Sequence, residues 1–256
     1  MTSLQEKIDK LVRPEIRALS AYHVPPASDL IKLDAMENPW SWSAELRTAW
    51  LEALQSVEIN RYPDPTARQL RASMRAAMAV PASADIILGN GSDELIQMII
   101  QTVAAPGRVV MAPDPTFVMY RQIATVANMG YVAVALQTDF SLDEAAMLAA
   151  LEERQPAVTF LSYPNNPTAN LFDAGSLRKI LSRAEGLVVI DEAYAPFTDA
   201  SFMANIGEFD NLLVLRTVSK MGLAGLRLGL LAGPPAWLCL LYTSPSPRDF
   251  KSDRVC

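Results

Sequence analysis

The sequence predicts an α/β fold, a mostly parallel β-sheet sandwiched by helices. Three observations carry this. From residue 85 to residue 218, strand-like and helix-like segments alternate. Several of the strand segments, such as RVVMAP, LVVIDEAY and NLLVLRTV, open on unbroken Val/Ile/Leu runs rather than apolar–polar alternation. That is the mark of strands covered on both faces. Finally, half of the 256 residues are hydrophobic and a fifth are charged, which allows a sizeable core.

The elements follow in order. Residues 1–35 read as a loosely organised arm, punctuated by proline in VRPEIRAL and YHVPP. LIKLDAMENPW (30–40) reads as a short strand running into a turn. From Ser43 the pattern is helical, with Leu46, Trp50, Ala53, Leu54 and Val57 on one face. NRYPDPTARQL is a proline-rich loop opening a helix over 67–78. DIILGNG (85–91) is a strand ending in glycines, followed by a helix over 92–104. Next come a strand (108–113), a helix (116–130) stopped by glycine, a strand (131–136) and a helix (142–154). A strand (157–164), a helix (174–186) and two strands (187–194 and 211–218) complete the series. No internal repeat is present.

The bulk numbers exclude some partners. Twenty-two basic against 28 acidic residues give a net charge of −6, which argues against a general nucleic-acid or anionic-membrane surface. No run of 18 apolar residues is unbroken, so no membrane span is expected. The N-terminal segment has mixed charge and no apolar h-region, so it does not read as a secretory signal. Both cysteines, Cys239 and Cys256, fall at the end of the chain, and there is a single histidine, His23. No metal site is expected from so few soft ligands. A cytoplasmic location follows as the default.

Ligands of parallel sheets sit beyond the carboxyl ends of the strands. There the sequence places Gly89–Asp93, Asp114–Phe117, Asn165 and Asn166, Asp191 and Tyr194, and Thr217–Lys220. Of the six lysines, only Lys220 stands among small apolar residues directly after a strand. Asp191, drawn toward a buried strand end, needs a cationic or hydrogen-bonding partner. GNGSDE frees backbone N–H groups at a helix N-terminus, an anion site to which Arg227 adds a guanidinium fork. Asn166 offers an amide, Tyr194 a phenol and Phe117 an aromatic face. Together these describe a ligand that is anionic at one end, carries an aromatic ring and presents a carbonyl to an amine. Pyridoxal 5′-phosphate (PLP) meets each requirement. GNGSDE lacks the G-x-G-x-x-G spacing, which disfavours a dinucleotide-binding oxidoreductase.

YPNNPT, DEAY and SK…GLAGLRLG, in this order, resemble the fold-type I PLP-dependent aminotransferases. RYPDP, GNGSDELI and PTFVMY narrow the resemblance to the histidinol-phosphate aminotransferases of histidine biosynthesis, from about LDAMENPW to AGPPAWL. The resemblance implies that residues 36–237 are the PLP-binding large domain, with 1–35 an arm or part of a small domain that is mostly missing. It implies that Lys220 carries the cofactor covalently and moves the substrate proton, and that Asp191 holds the ring nitrogen protonated. Asn166 and Tyr194 would bond the ring hydroxyl, and Phe117 would stack on the ring. Gly91, Ser92, Asp93, Thr217, Ser219 and Arg227 would surround the phosphate. Tyr62 would reach the phosphate of a neighbouring subunit, implying a homodimer. Glu37 and Asn38 would border the substrate, which is histidinol phosphate, with 2-oxoglutarate and glutamate as co-substrates. An aromatic or aspartate transaminase, a threonine-phosphate decarboxylase or a non-catalytic fragment are the alternatives.

The family continues well past Trp237, and the resemblance stops near Leu238. Residues 238–256 are expected to be a disordered or non-native tail on a truncated chain, with little turnover.

Overall fold

The computed structural model describes residues 3–20, 31 and 35–243. Seven strands form one sheet in the order β1-β7-β6-β5-β4-β2-β3. They are β1 (Asp85–Asn90), β2 (Val109–Asp114), β3 (Gly130–Ala135), β4 (Val158–Ser162), β5 (Leu187–Asp191), β6 (Leu212–Thr217) and β7 (Leu228–Gly233). From β3 across to β6 all neighbours run parallel, whereas β7 runs antiparallel to both β6 and β1. Two reversals cancel, so β1 points the same way as β6. The carboxyl ends of β1, β5 and β6 therefore share one edge with the start of β7, and that edge holds the candidate site.

Helices cover both faces, as continuous apolar strands require. On one face lie α5 (Gly91–Val103), α6 (Met119–Val126) and α9 (Pro235–Tyr242). They bury Leu95, Ile99, Tyr120, Ile123 and Leu241 against Val110, Phe160, Val189 and Leu215. The other face carries α4 (Arg68–Ala77), α7 (Glu144–Arg154) and α8 (Ala174–Arg183), with Met74, Met147, Leu177 and Ile180 against Leu161, Val188 and Val214. Asp143 and Asp173 cap α7 and α8, accepting from the N–H groups of Ala146 and Ser176.

The expected elements from β1 to β6 are present, most with ends moved by a residue or two and α6 trimmed at both ends. Three features differ. First, β7 was not anticipated, because its run is interrupted by Gly229 and Gly233. Those glycines are there because neighbouring groups approach too closely for a side chain. Second, the arm is more regular than expected. Within it, α1 (Leu4–Leu11) opens on a capping box between Ser3 and Glu6. Just before α2 (Pro14–Arg17), the Arg13 guanidinium bonds the Thr125 and Val126 carbonyls and Asn128 at the end of α6. Third, α9 crosses the boundary expected at residue 238 and buries Leu238 and Leu241. The strand expected over 30–40 lies partly outside the described residues, and 35–43 carry no strand. His23 and the tail beyond Thr243 lie outside the described residues.

The helix expected from Ser43 is α3 (Ala44–Gln55), capped by Ser43. None of its residues is buried, and Leu46, Trp50, Leu51 and Leu54 are exposed. No helix among the described residues is long and apolar enough to cross a membrane.

Candidate active site

Lys220 lies in a short 3-10 turn, Ser219–Met221, directly after β6. The turn is tied down by Thr217, whose hydroxyl donates to the Leu228 carbonyl at 3.1 Å and accepts from the Ser219 N–H at 3.1 Å. The Ser219 hydroxyl lies 2.8 Å from the Thr217 hydroxyl. Gly222 closes the turn at φ +92°, and a Cβ there would come 2.7 Å from Asn38 Nδ2. This places Asn38 against the loop that carries the lysine. Lys220 Nζ donates to the Ala35 carbonyl at 2.5 Å and stands 5.3 Å from the centre of the Tyr194 ring. Burial lowers the amine's proton affinity, with Arg227 adding to the effect, while Glu37 and Asp93 oppose it.

Asp191 ends β5 and is only 3% exposed. Its Oδ2 accepts the Tyr120 O–H at 2.6 Å and its Oδ1 accepts the Ala193 N–H at 3.0 Å. Both partners are neutral. Burial pushes the carboxyl up to about 6, against the lowering effect of these two hydrogen bonds. An ionised Asp191 is thus short of a positive partner. Tyr120 lies stacked on Phe160 at 4.6 Å and meets Phe117 edge-on at 5.5 Å. Phe117 is therefore linked to Asp191 through one tyrosine.

At the β1–α5 junction, Gly91 has φ +77° and Asn90 supplies no side-chain cap to the helix. Because α5 starts at Gly91, the first-turn N–H groups of Gly91, Ser92 and Asp93 have no acceptor within the helix. Arg227, at φ +50° just before β7, lays its guanidinium over Gly91, where a Cβ would meet Nη2 at 2.8 Å. Arg227 Nη2 lies 3.8 Å from Asp93 Oδ2, a loose and exposed pair. The Asp93 side chain is 44% exposed as a whole, yet its Oδ1 is buried with no hydrogen-bond partner. Asp93 therefore suits the cleft as a backbone donor, while its carboxylate belongs to Arg227.

Asn166 and Tyr194 line a cavity of about 170 Å³ together with Met36, Pro164 and Phe197. The preceding Asn165 is structural: buried, it donates to the Pro115 carbonyl and accepts from Thr116. Glu37 is exposed beside Met36 and reaches Lys220 only through its charge. Tyr62 stands 76% exposed on the α3–α4 connection. A larger hollow of about 430 Å³ lies at the amino ends of β4 and β5, between the last turns of α7 and α8. Its lining includes none of the strand-end residues.

The structure thus brings Gly91, Ser92, Asp93, Phe117, Asn166, Asp191, Tyr194, Thr217, Ser219, Lys220 and Arg227 to one sheet edge, with Glu37 and Asn38 at its rim. Sequence reasoning missed Tyr120, although its position three residues after Phe117 on a helix was a usable signal. It also missed the pair of Glu192 and Arg216. The residues present fit PLP: a half-buried amine of weakened basicity, a buried carboxylate lacking a cation, and a glycine-lined helix N-terminus under a guanidinium.

The family model for "Aminotransferase class I and II" matches residues 28–244. The chain is 57% identical over 234 residues to "Histidinol-phosphate aminotransferase 2" of Nitrosococcus oceani, covering 91% of this chain and 65% of that protein. It is 54% identical over 185 residues to a "Histidinol-phosphate aminotransferase" of Thiocapsa roseopersicina, covering 72% of this chain and 98% of that one. Among solved structures, the histidinol-phosphate aminotransferase of Sinorhizobium meliloti in complex with pyridoxal-5′-phosphate superposes with a TM-score of 0.77. That match has 22% identity over 91% of this chain and 65% of the other, which speaks to the fold alone. The chain spans about 65% of the length of the first curated relatives it matches.

Proposed function

The chain belongs to the class I and II aminotransferase family, whose members depend on PLP, and we propose that its strand-end cleft binds PLP for transamination of L-histidinol phosphate. The amino group would pass to 2-oxoglutarate, giving imidazole acetol phosphate and glutamate, in histidine biosynthesis. One observation carries this: an amine of lowered basicity, Lys220, shares a cleft with a buried carboxylate, Asp191, that has only neutral partners. The histidinol-phosphate aminotransferase relatives supply the substrate class.

When bound, PLP supplies an aldehyde carbon for an amine and a pyridinium ring that draws electrons from the substrate α-carbon. The chain's own residues do the rest. Lys220 Nζ, unprotonated more readily than an ordinary lysine, serves as nucleophile and then as the base that takes and returns the α-proton. Asp191 would hold a negative charge against the ring nitrogen. Asn166 and Tyr194 would offer hydrogen bonds to the ring hydroxyl, and Phe117 would cover one ring face. The N–H groups of Gly91, Ser92 and Asp93, the hydroxyls of Thr217 and Ser219, and Arg227 would hold the phosphate. Glu37 and Asn38 border the substrate.

The working unit on this reading is a homodimer. The exposed apolar side chains of α3 supply a surface that a second copy would cover, and Tyr62 beyond it would reach the neighbour's phosphate. The acidic net charge supports small-molecule substrates rather than nucleic acid or an anionic membrane. A cytoplasmic location goes with this biosynthetic reading.

The test is a visible absorbance spectrum of purified protein with PLP, beside Lys220→Ala. A new band in wild type that is lost in the variant, with glutamate formed from histidinol phosphate and 2-oxoglutarate, supports the reading. Identical spectra of free PLP in both would overturn it. A Lys220-dependent band without turnover would keep the cofactor and remove the reaction.

A further inference from the structure

Asp191 is buried in a way that opposes its own ionisation, and the groups around it differ in sign. Asp93 from α5 and the adjacent Glu192 are both acidic and disfavour a charge on it. Glu192 is itself held by Arg216 from β6. Among the described residues, two groups favour the carboxylate: the Ala193 N–H on Oδ1 and the Tyr120 O–H on Oδ2. The backbone donor is fixed by the chain. The phenol is thus the one side chain that both aims and stabilises this anion.

Tyr120 is built for that task. It is fully buried on α6, clamped by the stacked Phe160 ring and the edge of Phe117. Its own ionisation is driven far above the usual range by burial and by the neighbouring Asp191, so it remains a donor at every working pH. The same ring sets where Phe117 stands.

We propose that Tyr120 is a positioning residue for the cofactor: its hydroxyl holds Asp191 ionised and aimed at the ring nitrogen, and so sets the acid limit of PLP binding. The inference rests on the PLP reading above. It adds a residue whose contact is with Asp191 and Phe117 and not with the substrate.

Tyr120→Phe removes one hydroxyl and keeps both ring contacts, so the fold is retained. PLP is titrated into wild type, Tyr120→Phe and Lys220→Ala from acid to neutral pH. Tryptophan fluorescence quenching reports affinity and the Lys220-dependent visible band reports correct seating. Thermal melting of the cofactor-free proteins is followed over the same range. The expected result is an apparent Kd about tenfold weaker at neutral pH in Tyr120→Phe. The acid midpoint of binding should also move up by about one pH unit, the change that one lost charge-assisted hydrogen bond produces. A purely structural role would lower the melting temperature and leave that midpoint in place, which would overturn the inference. So would a variant matching wild type in both affinity and midpoint. If wild type itself shows no Lys220-dependent band, the PLP reading fails and this inference with it. The melting curves would then report the Tyr120–Asp191 coupling alone.

Discussion

Arg216 and Glu192 form an ion pair inside the protein. Both Nε and Nη2 of the arginine lie 2.8 Å from Glu192 Oε2. The Glu192 side chain is fully buried and that of Arg216 is 14% exposed. The Phe202 N–H and the Ser201 hydroxyl complete the carboxylate, and Arg216 Nη1 reaches the Met78 carbonyl at the end of α4. The pair fastens the strand end bearing Asp191 to the helix on the opposite side of β6.

Removing one partner strands a buried charge. Arg216→Met is therefore expected to destabilise the fold by about 3–5 kcal/mol. Combining it with Glu192→Gln should restore part of the loss, because the carboxamide carries no charge. Urea denaturation of the four proteins in this cycle measures the coupling. Additive effects would show that the pair is not a unit.

Asp191 sets a pH dependence in the cofactor-free chain. Its folded value, raised from 3.8 to about 6, means that the folded state holds a proton more tightly than the unfolded one. That contribution is complete below about 4 and lost as the pH rises through about 6. By neutral pH the buried charge costs about 3 kcal/mol. Asp191→Asn should thus gain on wild type between these limits and keep the gain above them, while binding PLP poorly. Melting temperatures at mildly acid and neutral pH check this, and a constant difference between the two proteins would refute it.

Lys220 acts with the opposite sign. Its amine is less basic in the folded state than the usual 10.5, because burial disfavours the ammonium. Lys220→Met is expected to melt higher than wild type at neutral pH. The advantage should shrink as the pH rises toward the ordinary lysine range, where both chains are neutral at this position. Calorimetry at two pH values tests it.

Gly229 guards the anion cradle through sterics alone. A Cβ there would stand 2.5 Å from the Gly91 carbonyl oxygen and 3.0 Å from the Ser92 nitrogen, both backbone atoms. Gly229→Ala should cost about 1–3 kcal/mol and weaken PLP binding by shifting the first turn of α5. Gly225→Ala meets no atom within 4 Å and serves as the matched control. Equal stability of the two variants would refute the steric account.

The sequence by itself determined the alternation of strands and helices, the parallel character of the sheet and the catalytic candidates at strand ends. These follow from local facts: continuous apolar runs, capping residues, and polar groups placed where a strand stops. It could not reveal β7, because the glycines that weaken its apolar signal answer to the Gly91 backbone and the Leu213 side chain. Nor could it reveal that β7 runs antiparallel, the fact that brings Arg227 over Gly91 beside the ends of β5 and β6. The bonds of Tyr120 to Asp191, 71 positions away, and of Lys220 to Ala35, 185 positions away, were equally beyond local reading. The exposed face of α3 belongs with them. Its periodicity announced a helix with an apolar stripe, but periodicity states only that a stripe needs cover and not whether this chain supplies it. Residue type fixed which groups could do chemistry. Burial, strand direction and long-range contact decided which of them were charged, aimed and together.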